Sequence, residues 1–345
     1  MDQDKILTFV VPAYNMQTYL KRCLNALLAS PDNVDVEVLV VDDGSTDGTL
    51  AVAQDYQRRF PGIVRAIHQE NKGHGGAVNT GIAEAAGMYV KVVDADDWVG
   101  ASSLAEVLDV LRRQRDSDDP LDMLVTDYVY DKVGRKHKHV VDFSKVMEAN
   151  RRITWDDLGD FGIAQYIIMH ALTFRTEVVR MSGMTLPEHT FYVDFIYSYQ
   201  PFPWVKSIYY LSTPFYHYFI GREGQSVQTD VMIRRVQQLC RVNRQMLTAT
   251  PEATDEGVTP GLYRYMIHFL AIESSITTVF LILSRDSNNY RVQKELWNNI
   301  REYSPTIYRD TRGKLVSRAM NLPGPAGRFC VRVGYRIANM ILGFN

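Results

Sequence analysis

Short runs in which nearly every residue is apolar recur through the first 130 positions: ILTFVV at 6–11, VEVLVV at 36–41, MYVKVV at 88–93 and MLVTDYV at 123–129. A strand with one face in water alternates apolar and polar residues, so runs without that alternation belong to strands buried on both faces. Helical patterns lie between them at 18–28, 50–60, 75–86 and 102–113, the first with Leu20, Leu24, Leu27 and Leu28 on one side, and a further strand reads at 63–68. This alternation predicts an α/β fold, a mostly parallel sheet flanked by helices. Late strands at 205–211 and 215–220 close the sheet. From residue 231 the pattern is helical, at 231–249, 260–284 and 289–301, and at 326–342 after a loop with Pro323, Gly324 and Pro325. The expected division is a sheet domain over 1–225 and a helical C-terminal region over 230–345.

Ligands of such sheets bind at the carboxyl ends of the strands, and three polar clusters fall there. The most demanding is Asp94-Ala95-Asp96-Asp97, three carboxylates in four residues at the end of an apolar run. Gathered like charge is costly unless a cation offsets it, and oxygen-only ligands suit Mg²⁺ or Mn²⁺. The alternative is that Asp96 or Asp97 caps the helix starting near Ala101. At the first strand's end, Pro12 fixes the turn and Tyr14 offers a ring to stack on a base. At the second, Ser45, Thr46 or Asp47 suffices to cap the next helix, which leaves Asp42 and Asp43 to accept from a base N–H or a ribose hydroxyl. The glycine-rich stretch 71–81 opens a helix and suits a phosphate. It is neither a P-loop, since Ile82 stands where the lysine belongs, nor a dinucleotide fingerprint, since Val78 replaces the third glycine.

A net charge of −2 gives no global electrostatic case for nucleic acid. Cys23, Cys240 and Cys330 lie far apart without metal spacing and fit a reducing, cytoplasmic setting. The acidic N-terminus runs straight into a strand pattern, so no leader is expected. The apolar stretch around 267–283 is interrupted by His268 and Glu273 and reads as a buried helix rather than a membrane span. Tyrosines crowd 192–218 and suggest a wall of apolar bodies with polar tips. The basic segment from Lys132 to His139 reads as a solvated hairpin tip in preference to a phosphate patch.

VVPAYN at 10–15, VVDDGSTDGT at 40–49, NKGHGGAVNTG at 71–81 and VVDADD at 92–97 come in the order and spacing of family 2 glycosyltransferases, and the chain resembles that family closely over about residues 5–130. The resemblance implies a GT-A (Rossmann-like) fold and a metal-dependent transferase of the hexosyltransferase type that binds a nucleotide-diphosphate sugar, a UDP-sugar by family prior. Pro12, Tyr14 and Asp43 match positions that hold base and ribose, with Asn15 and Asp42 beside them. Lys72, Gly75 and Asn79 belong to the donor side. Asp94-Ala95-Asp96 matches the DxD motif that holds the diphosphate and a divalent ion, Mn²⁺ or Mg²⁺, with Asp96 and Asp97 both open as its direct ligand. Asp194, in LPEHTFYVDF at 186–195, matches the general base; Val193 stands where many relatives carry Glu, Glu188 is the second choice, and a helix cap is the alternative role. The segment 217–227 resembles one that closes over the donor, with Arg222 reaching the diphosphate.

The resemblance implies an inverting transfer onto a glycan or lipid-linked acceptor in bacterial surface polysaccharide or glycoconjugate synthesis. The rivals are a nucleotide-sugar-binding protein without turnover and a nucleotidyltransferase with a related sheet. The latter usually carries a basic glycine loop where Pro12-Ala13-Tyr14-Asn15 stands. In the tail, Phe329, Val333, Ile337, Met340 and Ile341 share a helical face beside Arg328, Arg332 and Arg336. That pattern fits a helix docked on the protein, or peripheral contact of 326–344 with the cytoplasmic membrane face.

Overall fold

The computed structural model describes residues 5–30, 33–132, 134, 138–221 and 228–342, which fall into two compact units. In the first, Met1–Gly159 with Ile167–Ile220, the chain runs β1 (Leu7–Ala13), α1 (Leu20–Leu27), β2 (Val36–Asp43), α2 (Thr49–Arg59), β3 (Val64–Gln69), α3 (Gly73–Glu84), β4 (Tyr89–Val92), β5 (Trp98–Val99), α4 (Ala101–Arg115), β6 (Met123–Lys132), β7 (His139–Val141), β8 (Arg152–Ile153), β9 (Leu172–Arg175), α5 (Thr176–Met181), α6 (Asp194–Tyr197) and β10 (Ile208–Ile220). The strands form one sheet in the order β3-β2-β1-β4-β9-β6-β10-β5, with β7 on β6 and β8 on β10. The pairs β1–β2, β1–β4 and β2–β3 are parallel. Every residue of β1, β2 and β4 is buried, as their unbroken apolar runs require.

Beyond β4 the sheet is mixed rather than parallel. β9 inserts between β4 and β6 and is antiparallel to both. It is only four residues long, too short for a periodic signal. The two expected late strands are one: β10 continues through Pro214, where its parallel ladder to β6 shifts register. Proline has no N–H to give a ladder, and an irregularity there absorbs the loss. The two-residue β5 returns antiparallel onto Tyr216 and His217, which brings the 94–97 turn to the end of β10.

The second unit is Asp160–Tyr166 with Gly221–Asn345. Its helices are α7 (Thr229–Arg234), α8 (Val236–Thr248), α9 (Pro260–Leu283), α10 (Ser287–Tyr303), α11 (Pro305–Gly313), α12 (Leu315–Met320) and α13 (Gly324–Leu342). α9 is long and apolar enough to cross a membrane, yet 83% of its apolar window is buried inside the protein, with α7, α8, α10, α11, α12 and α13 all packed on it. Glu273 in its core accepts from Thr277 Oγ1 at 2.6 Å and from the Asn243 amide, so the buried acid is hydrogen-bonded. The linear division at 225 missed the short segment Asp160–Tyr166. It joins this unit because Phe161 packs on Tyr265 and Tyr166 on Phe269, each at 4.8 Å between ring centroids, and His268 Nε2 donates to the Gln165 carbonyl at 2.9 Å. The helix expected over 231–249 is broken at Arg235 into α7 and α8. α11, unforeseen, starts with Pro305 behind a Ser304 hydroxyl that accepts from Ile307 N, a regular helix start.

α3 consists largely of small residues because it lies hard against β1: a Cβ at Gly81 would stand 2.2 Å from Val10 Cγ1. In an exposed helix Gly→Ala gains up to ~1 kcal/mol. Here overpacking reverses the sign, and Gly81→Ala is expected to cost about 1–3 kcal/mol, measured as a lower urea midpoint at unchanged slope.

Candidate active site

The carboxyl ends of β1, β2 and β4 stand side by side, with Ala13 paired to Asp42 and Val10 to Val92. Pro12 is buried in register with Val41. Tyr14 emerges from the strand end 48% exposed, an open aromatic face. Asn15 adopts φ 54°, a left-handed conformation Asn tolerates, and there its Oδ1 accepts from Thr46 N at 2.9 Å while its own N–H donates to Ser45 Oγ at 3.0 Å. The loops after β1 and β2 thus brace each other. Asp47 accepts from Thr49 N at 2.9 Å, the capping role expected of that loop.

Successive strand residues face opposite ways, and the two aspartates of β2 part accordingly. Asp43 accepts from Gln69 Nε2 at 2.7 Å and Lys72 N at 2.9 Å, at the mouth of the glycine-rich loop. Asp42, expected beside the nucleotide, is wholly buried with Oδ2 2.6 Å from His68 Nδ1. One carboxylate oxygen is thus engaged within the protein, while Oδ1 is buried with no hydrogen-bond partner among the described residues.

The glycine-rich start of α3 is likewise occupied by protein. Gly73 has φ +75°, and a Cβ there would lie 2.9 Å from the His189 backbone; at Gly75 it would lie 2.7 Å from the Pro187 carbonyl. His189 N donates to Lys72 O at 2.8 Å. Asn79 clamps Leu186 at both backbone atoms, donating to its carbonyl at 2.8 Å and accepting from its N–H at 2.9 Å. Gly75 and Asn79, expected to face the donor, dock the 186–189 segment, while Lys72 Nζ lies 3.8 Å from Glu188.

That segment leads into Asp194 at the start of α6. His189 (φ 49°) and Tyr192 (φ 66°) are both left-handed, a strained approach for bulky residues. Val193 precedes the helix and Asp194 lies inside its first turn, so capping from outside does not describe it. Burial above all, with help from the Asp94 charge and against His74, pushes its carboxyl up to about 6. Glu188, the second choice, is half exposed and shows no such environment. Burial lowers the His74 pKa, while Asp194, Asp96 and Asp43 work to raise it: the fields of all three carboxylates meet at this imidazole, whose Nδ1 is 3.8 Å from Asp94 Oδ1.

The 94–97 turn closes with Asp97 N donating to Asp94 O at 2.9 Å. Asp97 is fully buried; its Oδ2 accepts from Tyr216 OH at 2.6 Å and its Oδ1 from Phe219 N at 2.8 Å, while Tyr216 OH accepts from Asp94 N at 3.2 Å. The residue before α4 is Gly100 with no side-chain cap, so the capping reading of Asp96 and Asp97 falls. Arg22 Nη2 donates to the Asp96 carbonyl at 2.6 Å, its guanidinium 3.9 Å from the Trp98 ring centre. Burial, then the charges of Asp96 and Asp94, raise the Asp97 pKa well above the carboxylate range. The donor set fits a divalent cation: Asp94, Asp97 and the buried His170 each bring one ligand atom within 4.8 Å of the others, carboxylate oxygen and imidazole nitrogen both serving such ions. Of the two residues left open by the sequence, this geometry groups Asp97 with Asp94. Ala95 is buried between them. Arg222 lies outside the described residues.

Residues 8–170 match the family model described as glycosyl transferase family 2. Those residues are a family 2 glycosyltransferase domain. The chain is 26% identical over 227 residues to EpsH of Bacillus subtilis, named as a glycosyltransferase, across 62% of this chain but only 60% of that protein. Among solved structures, TarS 1-349 of S. aureus in complex with UDP-GlcNAc superposes with TM-score 0.68 at 19% identity, covering 96% of this chain and 92% of that one. The mannosyltransferase PcManGT of Pyrobaculum calidifontis in complex with GDP-Man and Mn²⁺ gives 0.52 at 16% identity, covering 96% and 87%. At these identities the superpositions establish the GT-A-like fold. Sequence reasoning missed Arg22, His170 and Tyr216, lone residues that meet the acidic turn only once α1, β9 and β10 are assembled around it.

Tyr216→Phe takes one of the two donors from the buried Asp97 carboxylate. A loss of about 1–3 kcal/mol is expected, read as a reduced urea midpoint at neutral pH.

Proposed function

We propose that this chain is an inverting glycosyltransferase that moves a sugar from a nucleotide-diphosphate sugar to an acceptor hydroxyl in bacterial surface polysaccharide or glycoconjugate synthesis. The observation that carries the reading is Asp194: a carboxyl raised to about 6 by burial, beside His74 and the acidic turn. A base poised near neutral pH accepts a proton without being too weak to remove it. The named relatives support the class, and UDP as the donor's nucleotide has the support of the likeness to TarS in complex with UDP-GlcNAc.

Tyr14 stacks on the base, and Asp43 accepts from base or ribose. Pro12 and the Asn15–Thr46 brace hold that end of the pocket, with Lys72 at its edge and Arg222 assigned to the diphosphate by resemblance. A divalent cation, Mn²⁺ or Mg²⁺, would supply Lewis-acid compensation of diphosphate charge, and Asp94, Asp96 and Asp97 with His170 would hold it. Asp194 Oδ removes the acceptor hydroxyl's proton as that oxygen attacks the anomeric carbon, and the nucleoside diphosphate leaves from the opposite side, so one displacement inverts the centre. The strained 189–192 approach and the Asn79 clamp keep the base in place.

Release of nucleotide from a panel of UDP-, GDP- and dTDP-sugars, with Mn²⁺ or EDTA, tests the reading. Turnover of one donor, lost with EDTA and reduced about 10²- to 10⁴-fold in Asp194→Asn with nucleotide binding retained, supports it. Binding without turnover at any acceptor favours a non-catalytic binder. Because the ionised carboxylate is the base, kcat/KM is expected to climb through pH 6 and level above it. The same shift affects stability with a definite sign. A carboxyl whose folded pKa lies above its unfolded one loses stability as pH rises from about 4 to 6, by at most about 3 kcal/mol. Asp194→Asn is therefore expected to melt higher than wild type at pH 7.5, with the difference vanishing near pH 4, as measured by thermal unfolding.

We also propose a cytoplasmic location with peripheral membrane contact through α13. Phe329, Val333, Ile337 and Met340 repeat at helical spacing and are 62%, 36%, 48% and 77% exposed, whereas Val331 is buried. Arg336 is exposed on the same helix, and a basic helix with an outward apolar face suits an anionic lipid surface. Ile337→Glu is expected to cut co-sedimentation with phosphatidylglycerol vesicles several-fold while leaving donor turnover in solution intact. Unchanged sedimentation would exclude this contact.

A further inference from the structure

His170 sits in the short 3-10 turn Met169–Ala171 ahead of β9. It is 5% exposed, and neither ring nitrogen has a hydrogen-bond partner. Leaving a buried polar group unsatisfied costs about 1–3 kcal/mol, so the ring is held there against a penalty, and what holds it is visible. Its centroid lies 4.3 Å from that of Tyr218, 4.7 Å from Tyr216 and 5.8 Å from Tyr128. Beneath it Lys91, fully buried in β4, donates Nζ to the His170 carbonyl at 2.8 Å and the Leu172 carbonyl at 3.0 Å. A lysine and three tyrosines thus fix an imidazole whose bare nitrogen stands within 4.8 Å of carboxylate oxygens of Asp94 and Asp97. Among the described residues no partner accounts for that placement; a shared cation would.

We propose that His170 is a nitrogen ligand of the divalent cation, completing with Asp94 and Asp97 a mixed oxygen–nitrogen site; this rests on reading the acidic turn as the cation site. Two further features then acquire a role. The Tyr216 and Phe219 bonds to Asp97 orient a ligating carboxylate from outside the metal, and the Lys91 bonds fix the turn that presents the imidazole. A neutral nitrogen among carboxylates favours Mn²⁺ over Mg²⁺, which binds oxygen and dehydrates reluctantly.

The full chain would be titrated with Mn²⁺ and with Mg²⁺, alone and with UDP, and the Mn²⁺ complex examined by pulsed electron paramagnetic resonance. Expected are a ¹⁴N coupling in wild type that changes on ¹⁵N-histidine labelling, its loss in His170→Gln, and a fall in Mn²⁺ affinity of about 10- to 100-fold with a smaller change for Mg²⁺. Labelling needs no substitution, so the result stands even if the variant folds poorly. Mn²⁺ bound to wild type without nitrogen coupling, or held equally tightly by folded His170→Gln, overturns the role of His170 while leaving the transferase reading intact. Failure of wild type to bind Mn²⁺ with UDP present overturns the cation reading itself.

Discussion

The site is organised around one buried hydrogen bond, Tyr216 OH to Asp97 Oδ2, across 119 residues of sequence. Asp97 ends the turn after β4 and Tyr216 lies in β10, so the bond ties the parallel half of the sheet to its last long strand. The same hydroxyl takes the N–H of Asp94, and with Phe219 N on the other oxygen the carboxylate is held from two sides. Three carboxylates at one strand end repel; they persist because the surrounding fold determines their positions. Arg22 adds the last constraint, bonding the Asp96 carbonyl while its guanidinium covers Trp98. A cation near a carbonyl beside carboxylates also reduces the net field at the turn.

A second device positions Asp194, the proposed base. Glycines at the start of a helix ordinarily invite an anion, but at Gly73 and Gly75 the space a Cβ would need is filled by the 187–189 backbone. Asn79, two turns into α3, fastens Leu186 with both ends of its amide. The small residues of α3 therefore act in two directions, letting the helix approach β1 at Gly81 and letting the 186–189 segment that leads to Asp194 approach the helix. The left-handed Tyr192 is tolerated because its flanks are fixed in this way.

What could be read in the sequence follows physical lines. β1, β2 and β4 and the helices between them announce themselves because burial on both faces imposes continuous apolar runs. β9, at four residues, and β5, at two, are shorter than any period, and β10 looks like two strands because Pro214 interrupts its ladder without ending it. Within the site, Asp94, Asp96 and Asp97 stood out as gathered charge. The protein partners of Asp42 and Asn79 were not legible, because a polar residue at a strand end or helix start looks the same whether it faces a ligand or another piece of protein. His170 could not be distinguished from any core histidine until β9 was placed beside β4.

The two raised carboxyls are linked. Asp194 is lifted chiefly by burial, but the Asp94 charge contributes, and the burial of Asp97 is made costlier by Asp94 and Asp96. Whatever offsets charge at the 94–97 turn therefore acts on Asp194 as well: compensation of Asp94 removes one of the causes holding Asp194 protonated and leaves burial opposed by His74. Ionised Asp194 and the compensated acidic turn favour one another, as coupled titrations within one cluster must. A fold that first crowds carboxylates at the ends of β4 and α6 and then rigidifies them through Tyr216, Phe219 and Asn79 cannot relax the repulsion by moving the groups apart. Its remaining responses are protonation or an added positive charge, and only the second leaves Asp194 in the ionised form that a base requires.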